Sequence, residues 1–287
     1  MSKNNCLSLF LCLFSLIIIL PFYSCKRKTS EIIITPDALK NHLQRTHLFN
    51  NVSSIETESY YYSNKDSLYI FIDKNIQHYN TDGYLTQVFV FNVNNDTISK
   101  KTVYYLTNGK ESYWEEYNYN EQSCAKNIFL YNKYGFKSEE QVLLNDSLLY
   151  RIEYKTDAIG SMIEMKRLLS DYMLTNTMYY NDHGLVARIE EYDPQNKLYK
   201  FIAIDYDNFG DEVNRRAFKN SNELIEYTYT QYNKDRSLQK IIFEDLLHNH
   251  REEKVYTHHD VKGNWLEEFL LQGTDTLRKR VRKIAYY

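Results

Sequence analysis

The stretch Tyr79-Asn-Thr-Asp-Gly83 decides the fold, because an aromatic residue followed four positions later by glycine recurs along the chain. Four further copies have the same spacing: Tyr105-Leu-Thr-Asn-Gly109, Tyr131-Asn-Lys-Tyr-Gly135, Tyr180-Asn-Asp-His-Gly184 and Tyr206-Asp-Asn-Phe-Gly210. Their glycines are 26, 26, 49 and 26 residues apart. The interval of 49 holds a distorted copy, Tyr154-Lys-Thr-Asp-Ala-Ile-Gly160, whose turn we expect to be two residues longer. Two later copies are Tyr232-Asn-Lys-Asp-Arg236 and His259-Asp-Val-Lys-Gly263.

Seven of the eight glycines therefore occupy one position of a repeat of about 26 residues. A chain reversal between two strands needs a residue with positive φ, which glycine adopts at little cost and Asn or Asp tolerates next best. The copy with Arg236 in the glycine position is expected either to be strained or to pass the left-handed conformation to Asp235.

A second turn lies between these reversals. It places an Asp and a hydroxyl residue just before a strand, as in Asn145-Asp146-Ser147-Leu148, and local side-chain hydrogen bonds explain that choice. Alternation follows, with Leu148, Tyr150, Ile152 and Tyr154 on one face of a strand. The sequence thus predicts an all-β fold: an antiparallel meander of about eight or nine hairpins and 16 to 18 strands, starting near Ser53. We expect an elongated, twisted or spiral sheet.

These Tyr-(Asn/Asp)-x-x-Gly repeats resemble the YD-repeat (RHS-repeat) family, especially small repeat lipoproteins of Gram-negative envelopes. The resemblance covers Tyr79 to about Trp265 and, weakly, Ser53 to His78. It implies the hairpin fold and no shared catalytic residue. It also implies that this chain has too few repeats to close a shell around a cargo.

The N-terminus reads as an export signal. Lys3 precedes an apolar stretch from Leu7 to Leu20, which is too short to span a bilayer comfortably. Ser24-Cys25 resembles a lipoprotein cleavage site, which predicts a signal peptide over residues 1–24 and lipidation of Cys25. Ordinary secretory cleavage and an uncleaved anchor remain alternatives. Residues 25–52 are expected to hold the tether and a short helix from about Pro36 to Phe49, and residues 53–287 the repeat domain.

Composition excludes several classes of protein. The chain has 35 basic and 38 acidic side chains, a balance that does not favour nucleic acid. Cys124 is the one cysteine outside the predicted signal and lipid site, so no intramolecular disulfide is expected. No residue near Cys124 in the sequence supplies a base that would make it a nucleophile.

Candidate chemical sites are few, and no cofactor is predicted. His248-Asn-His250 and His258-His259 could suggest a metal, but they fall at a turn and at the repeat position, so we predict no metal site. Adjacent acids such as Glu115-Glu116 point to opposite faces of a strand and cannot act together as acid and base.

Four Asp-(Ser/Thr)-aliphatic triplets resemble the O-glycosylation acceptor used by some Gram-negative envelope systems. The candidate acceptors are Ser67, Thr97, Ser147 and Thr276.

Three functions follow as hypotheses. The first is a non-enzymatic, lipid-anchored envelope protein, facing the periplasm from the outer membrane, whose hairpin surface binds a partner or acts as a spacer. The second is a carbohydrate or cell-wall binding module, with Trp114 and Trp265 as candidate stacking residues. The third, a glycan or peptide hydrolase, rests only on the density of acidic residues.

Overall fold

The computed structural model describes residues 48, 51–63, 67–169, 172–273 and 275–287. Within these ranges the chain forms eighteen β-strands. Their bounds are β1 Val52–Ser63, β2 Leu68–Tyr79, β3 Leu85–Phe91, β4 Thr97–Tyr105, β5 Glu111–Asn118, β6 Ser123–Tyr131, β7 Lys137–Leu144, β8 Ser147–Thr156, β9 Met162–Leu168, β10 Met173–Tyr180, β11 Val186–Tyr192, β12 Leu198–Tyr206, β13 Glu212–Lys219, β14 Leu224–Tyr232, β15 Leu238–Asp245, β16 His250–His259, β17 Trp265–Gln272 and β18 Asp275–Tyr286. The predicted meander and its strand number are confirmed.

The sheet closes on itself. Each strand pairs antiparallel with its neighbours in sequence, and β1 pairs with both β2 and β18. The β1–β18 seam runs from Val52↔Tyr286 to Tyr61↔Arg278. The elongated or spiral form that we expected is replaced by an 18-stranded barrel, because the first and last strands pair.

Regular β-bulges give a physical reason for the curvature. The register shifts where nearly every even-numbered strand meets the next strand, for example at His78/Tyr79, Tyr104/Tyr105 and Leu130/Tyr131, with β16–β17 as the exception. An extra residue on one strand bends that strand and increases the local twist. Because the bulge recurs with the repeat, the bending accumulates in one direction and brings β18 to β1.

The glycines stand at the predicted reversals. In the turn after β2, the amide of Gly83 donates to the carbonyl of Asn80 at 2.9 Å, and the Asn80 side-chain oxygen accepts from the amide of Tyr84 at 2.9 Å. All the turns that follow the even-numbered strands lie at one end of the barrel, which we call the glycine end. The turns that follow the odd-numbered strands lie at the other end, the opposite end.

Two copies of the turn differ from expectation. Arg236 itself takes the left-handed conformation with φ 70°, so Asp235 does not replace it. The turn before Gly160 is not longer than the others, because Asp157 and Ser161 make the same amide-to-carbonyl hydrogen bond at 2.9 Å. Thr156 stands there where most other copies have tyrosine.

One face of the sheet carries most of the buried strand side chains, and we call it the inner face because a closed sheet crowds side chains on its concave side. Strand pairing places Val103, Phe129, Ile152, Ile204 and Tyr256, all buried, on this face. Only twelve of the described hydrophobic residues are buried, so the inner face does not form a continuous core. Eighteen strands give a circumference of roughly 86 Å, more than twice that of eight-stranded barrels whose interior side chains fill.

A small apolar cluster lies at the glycine end, where Leu48 packs with Val52, Ile55 and Tyr79. Residues 1–47 and 49–50 lie outside the described ranges. These residues include the predicted signal peptide, the predicted lipidation site Cys25 and nearly all of the predicted helix. No helix among the described residues is long and apolar enough to cross a membrane.

Candidate functional site

The repeat tyrosines link neighbouring strands at the glycine end. Tyr79 donates its hydroxyl to the side-chain oxygen of Gln77 at 2.8 Å. Five others each donate the hydroxyl to the carbonyl oxygen of the first residue of the preceding odd-numbered strand. The pairs are Tyr105 to Leu85 at 2.6 Å, Tyr131 to Glu111 at 2.7 Å, Tyr180 to Met162 at 2.6 Å, Tyr206 to Val186 at 2.9 Å and Tyr232 to Glu212 at 3.3 Å. His259 substitutes for tyrosine, with Nε2 at 2.9 Å from the carbonyl oxygen of Leu238. These hydroxyls therefore have a structural role.

The two candidate stacking residues both lie on the inner face. Trp114 pairs with Val103 on β4, and Trp265 begins β17 opposite His259. A cation covers each indole: Lys101 Nζ is 3.8 Å from the centroid of Trp114, and the Arg282 guanidinium carbon is 3.4 Å from that of Trp265. Five strands separate the two tryptophans on the shorter way round the barrel, so they do not form one row.

The four candidate acceptors of O-glycosylation all lie at the opposite end, on different strands. Ser67 precedes β2, Thr97 and Ser147 begin β4 and β8, and Thr276 is the second residue of β18. Ser67 and Ser147 are exposed, and Thr97 and Thr276 are half-buried.

The histidines and Cys124 have local partners. His248 Nδ1 is 2.6 Å from Asp245, and His250 Nε2 is 3.0 Å from Glu252. No group of three His, Cys, Asp or Glu in the described ranges is placed to hold a metal ion. Burial, and then the carboxylates of Glu115 and Asp146, raise the pKa of the Cys124 thiol, which keeps it protonated at neutral pH.

Three inward arginines on β18 were missed in the sequence. Arg278, Arg280 and Arg282 alternate with outward residues in Leu277-Arg-Lys-Arg-Val-Arg-Lys283, and we call them the arginine row. Pairing with Leu270, Glu268 and Thr57, respectively, places them on the inner face. The alternation of arginines at every second position was the signal that could have revealed them.

The arginine row has one carboxylate beside it. Glu268 on β17 is 4% exposed, and its Oε1 is 3.3 Å from Arg280 Nη1. Burial lowers the pKa of Arg282 to about 10, against the opposing effects of Tyr79, Glu268 and Tyr256. Burial also raises the pKa of Tyr79 to about 12. The region around Arg282 is therefore a poorly solvated, positively charged part of the wall.

A cavity of ≈ 240 Å³ lies on the same face two strands away. Thr228, Ile241, Phe243, Glu252 and Lys254 line it. Lys254 pairs with Leu270 on β17, whose other partner is Arg278, so one strand lies between the cavity lining and the arginine row.

Comparison with known proteins gives structural likeness only. No protein-family model and no curated protein matches the sequence. A porin-like protein from Bacteroides uniformis is similar, with TM-score 0.44 and 14% identity over 83% of this chain and 98% of that chain. One from Bacteroides vulgatus has TM-score 0.36 and 10% identity over 82% and 98%. The Photorhabdus luminescens Tc holotoxin pore has TM-score 0.36 and 10% identity, over 79% of this chain but 16% of that chain. Likeness at this level does not transfer a function.

Proposed function

We propose that the protein is a non-enzymatic, lipid-anchored component of the Gram-negative cell envelope whose barrel binds a ligand on its inner face. The observation that carries the proposal is that the inner face presents tryptophan, lysine and arginine in a wall with few buried side chains. Aromatic faces and charged groups that converge on a concave surface are typical of binding sites.

The distribution of charge supports a location in water. The outward side of β1 and β18 carries Glu56, Glu58 and Lys283, and Lys283 Nζ is 2.9 and 3.2 Å from the two carboxylates. The inner side carries the arginine row and Glu268. Charged residues on both sides of a sheet suit an aqueous compartment such as the periplasm.

A carbohydrate ligand is the form of this proposal that we favour. Trp114 and Trp265 both face the interior, where indole rings can stack on sugar rings. The cation over each indole covers one side of the ring, so a sugar would contact the other side or displace the cation.

Tryptophan fluorescence tests ligand binding. We expect cell-wall oligosaccharides to change the emission of the full chain saturably, and Trp114→Phe and Trp265→Phe each to remove part of that change. Tyr104→Phe, on the outer face, is the matched control and should leave the change intact. A silent glycan array together with unchanged emission would contradict a carbohydrate ligand. A pull-down from crosslinked envelopes that recovers only lipid would contradict the binding role.

Intact mass of the protein from its native host tests both proposed modifications. Lipidation at Cys25 predicts the mass of the chain from residue 25 plus acyl groups. Glycosylation at Ser67, Thr97, Ser147 or Thr276 predicts additional hexose-sized increments that disappear in the alanine variants. A mass equal to polypeptide plus lipid would rule out the glycans.

A further inference from the structure

Among the described residues, several basic side chains of the inner face have carboxylate partners, and two members of the arginine row do not. Elsewhere on that face, Arg215 Nη2 is 2.8 Å from Glu212, and Lys200 Nζ is 3.2 Å from Glu226. In the arginine row only Arg280 has an ion pair among the described residues. Two of the three guanidinium groups therefore lack a carboxylate partner within the described part of the chain.

The two unpaired arginines also have buried donors without acceptors. Nε of Arg278 and Nε of Arg282 are buried, and no described group accepts a hydrogen bond from either. Nε of Arg216 shares this property on the outer face, but its terminal nitrogen is 2.7 Å from Asp205. Burying a cation's donor atom without an acceptor is costly, and an anion from outside the chain would satisfy both the charge and the donor.

The surroundings are suited to a sugar. Trp265 and Tyr256 lie against one another beside Arg282, with ring centroids 5.2 Å apart. Thr57 on β1 pairs with Arg282, Asn75 on β2 pairs with Thr57, and both offer neutral hydrogen-bonding side chains. The next carboxylate on this face of β1 and β2 is that of Asp73. Asp73 pairs with Ser59, and Ser59 pairs with Arg280 on its other side.

The spacing sets the size of the ligand. Arg278 and Arg282 are four residues apart on one strand, which places their Cα atoms about 13 Å apart. Guanidinium groups bind carboxylate and sulfate through two parallel hydrogen bonds. Because one small ion cannot pair with both arginines, the site fits an oligomer that carries anionic groups on separate units.

We propose that the arginine row is the binding site for an anionic oligosaccharide, whose carboxylate or sulfate groups pair with Arg278 and Arg282 while its rings lie along β18. This inference rests on the proposed ligand-binding function and specifies its ligand. Glu268 holds Arg280 in place between the two anion positions.

The test uses the full chain with Trp114→Phe, so that Trp265 is the sole tryptophan and reports on Arg282. The probes are oligogalacturonate, sulfated dextran oligomers, neutral dextran oligomers and polyphosphate. We expect saturable binding of one or both acidic oligosaccharides, weakened roughly tenfold or more by Arg278→Gln and by Arg282→Gln. The stronger of the two acidic probes identifies the anionic group.

The matched control is Lys283→Gln, an outward substitution of the same charge on the same strand, which should leave binding within about twofold. Circular dichroism checks the fold of each variant. If Arg282→Gln fails to fold, Arg278→Gln and Arg282→Lys carry the test, since lysine keeps the charge but loses the planar pair of donors.

Several results would overturn the proposal. They are absence of binding to both acidic oligosaccharides, equal loss of affinity in Lys283→Gln, or polyphosphate binding as tightly as the acidic sugars. Binding of neutral oligosaccharide alone would overturn the anionic site and leave the carbohydrate-binding function standing. Absence of binding to every probe would count against both the anionic site and the carbohydrate-binding function.

Discussion

At the scale of single residues, the repeat tyrosines explain how a wide sheet with a small core holds its hairpins together. Five of their hydroxyls each fix the end of one strand to the start of its neighbour, as between Tyr206 and Val186. A net contribution of about 1 kcal/mol is typical for such a hydrogen bond. Five such tyrosine bonds, and His259 in a sixth place, spread that contribution around much of the glycine end.

Removing one hydroxyl should destabilise the barrel measurably. We expect Tyr206→Phe to lower the free energy of unfolding by about 1 kcal/mol, because the Val186 carbonyl loses its donor. Tyr104→Phe, which removes an exposed hydroxyl, should change it by less than about 0.5 kcal/mol. Chemical unfolding followed by circular dichroism measures both. Equal effects would show that the tyrosine bonds add nothing.

Substitutions at two glycines distinguish the cost of a left-handed backbone from the cost of a steric overlap. Gly184 has φ 75° and nothing within 4 Å of an added Cβ, whereas Gly160 has φ 94° and a Cβ there would overlap the ring of Phe136. We predict that Gly184→Ala costs about 1–2 kcal/mol from the left-handed backbone alone. Gly160→Ala should cost more, because Phe136 must also move. Thermal unfolding compares them, and the reverse order would contradict the turn geometry.

At the scale of elements, the sequence predicted the hairpins well because their determinants are local. Gly and Asn or Asp define each reversal within five residues, and the meander was expected to start near Ser53, where β1 is found at Val52–Ser63. Turns at the opposite end were harder to identify as the same motif, because Asn95 and Asn196 replace glycine at φ 66° and φ 60°.

The site was predictable only in part, for the same reason. Trp114 and Trp265 were selected from residue type, but whether they face inward depends on the bulges that shift each register. Predicting the arginine row would need the neighbours of β18 on the inner face, where β17 supplies one carboxylate and β1 supplies none. Such neighbours are set by pairing between distant strands, which composition and spacing do not encode.

At the scale of the whole molecule, the buried Tyr79 and the half-buried Tyr286 make stability sensitive to alkaline pH. Burial raises the pKa of Tyr79 and of Tyr286 from 10.0 to about 12. As pH rises, these tyrosines therefore ionise in the unfolded chain before they ionise in the folded chain. This ionisation lowers the free energy of the unfolded chain and so reduces the stability of the fold. The stability that the un-ionised tyrosines contribute to the fold is fully present below pH 10 and is lost progressively between pH 10 and about 12.

We thus expect the unfolding midpoint to be little changed by these tyrosines up to about pH 9 and to fall steeply above pH 10. Tyrosinate absorbance of the folded protein should lag behind that of the denatured protein in the same range. Tyr79→Phe should reduce the steepness. Coincident titration of folded and denatured protein would contradict the burial of these rings.

Closure is the property that local sequence could not show. β1 and β18 are joined by contacts such as Lys283 to Glu56, which are 227 residues apart in the chain. The family resemblance suggested too few repeats to enclose a space around a cargo, yet eighteen strands suffice for the sheet to meet its own edge. An inner face, and with it the proposed ligand site, exists only because β1 and β18 pair.

A disulfide across that seam tests closure most directly. With Cys6, Cys12, Cys25 and Cys124 replaced by serine, Glu56→Cys with Lys283→Cys places two thiols at directly paired positions, a separation that a disulfide bridges. Glu58→Cys with Lys74→Cys across β1–β2 is the positive control, and Glu56→Cys with Arg251→Cys is the distant control.

We predict that mild oxidation crosslinks the seam pair intramolecularly as completely as the β1–β2 pair, as measured by intact mass and by mobility on non-reducing gels, while the distant pair stays reduced. A seam pair that stays reduced while the β1–β2 pair crosslinks would mean that the sheet is open, and the account of the barrel and its inner face would be wrong.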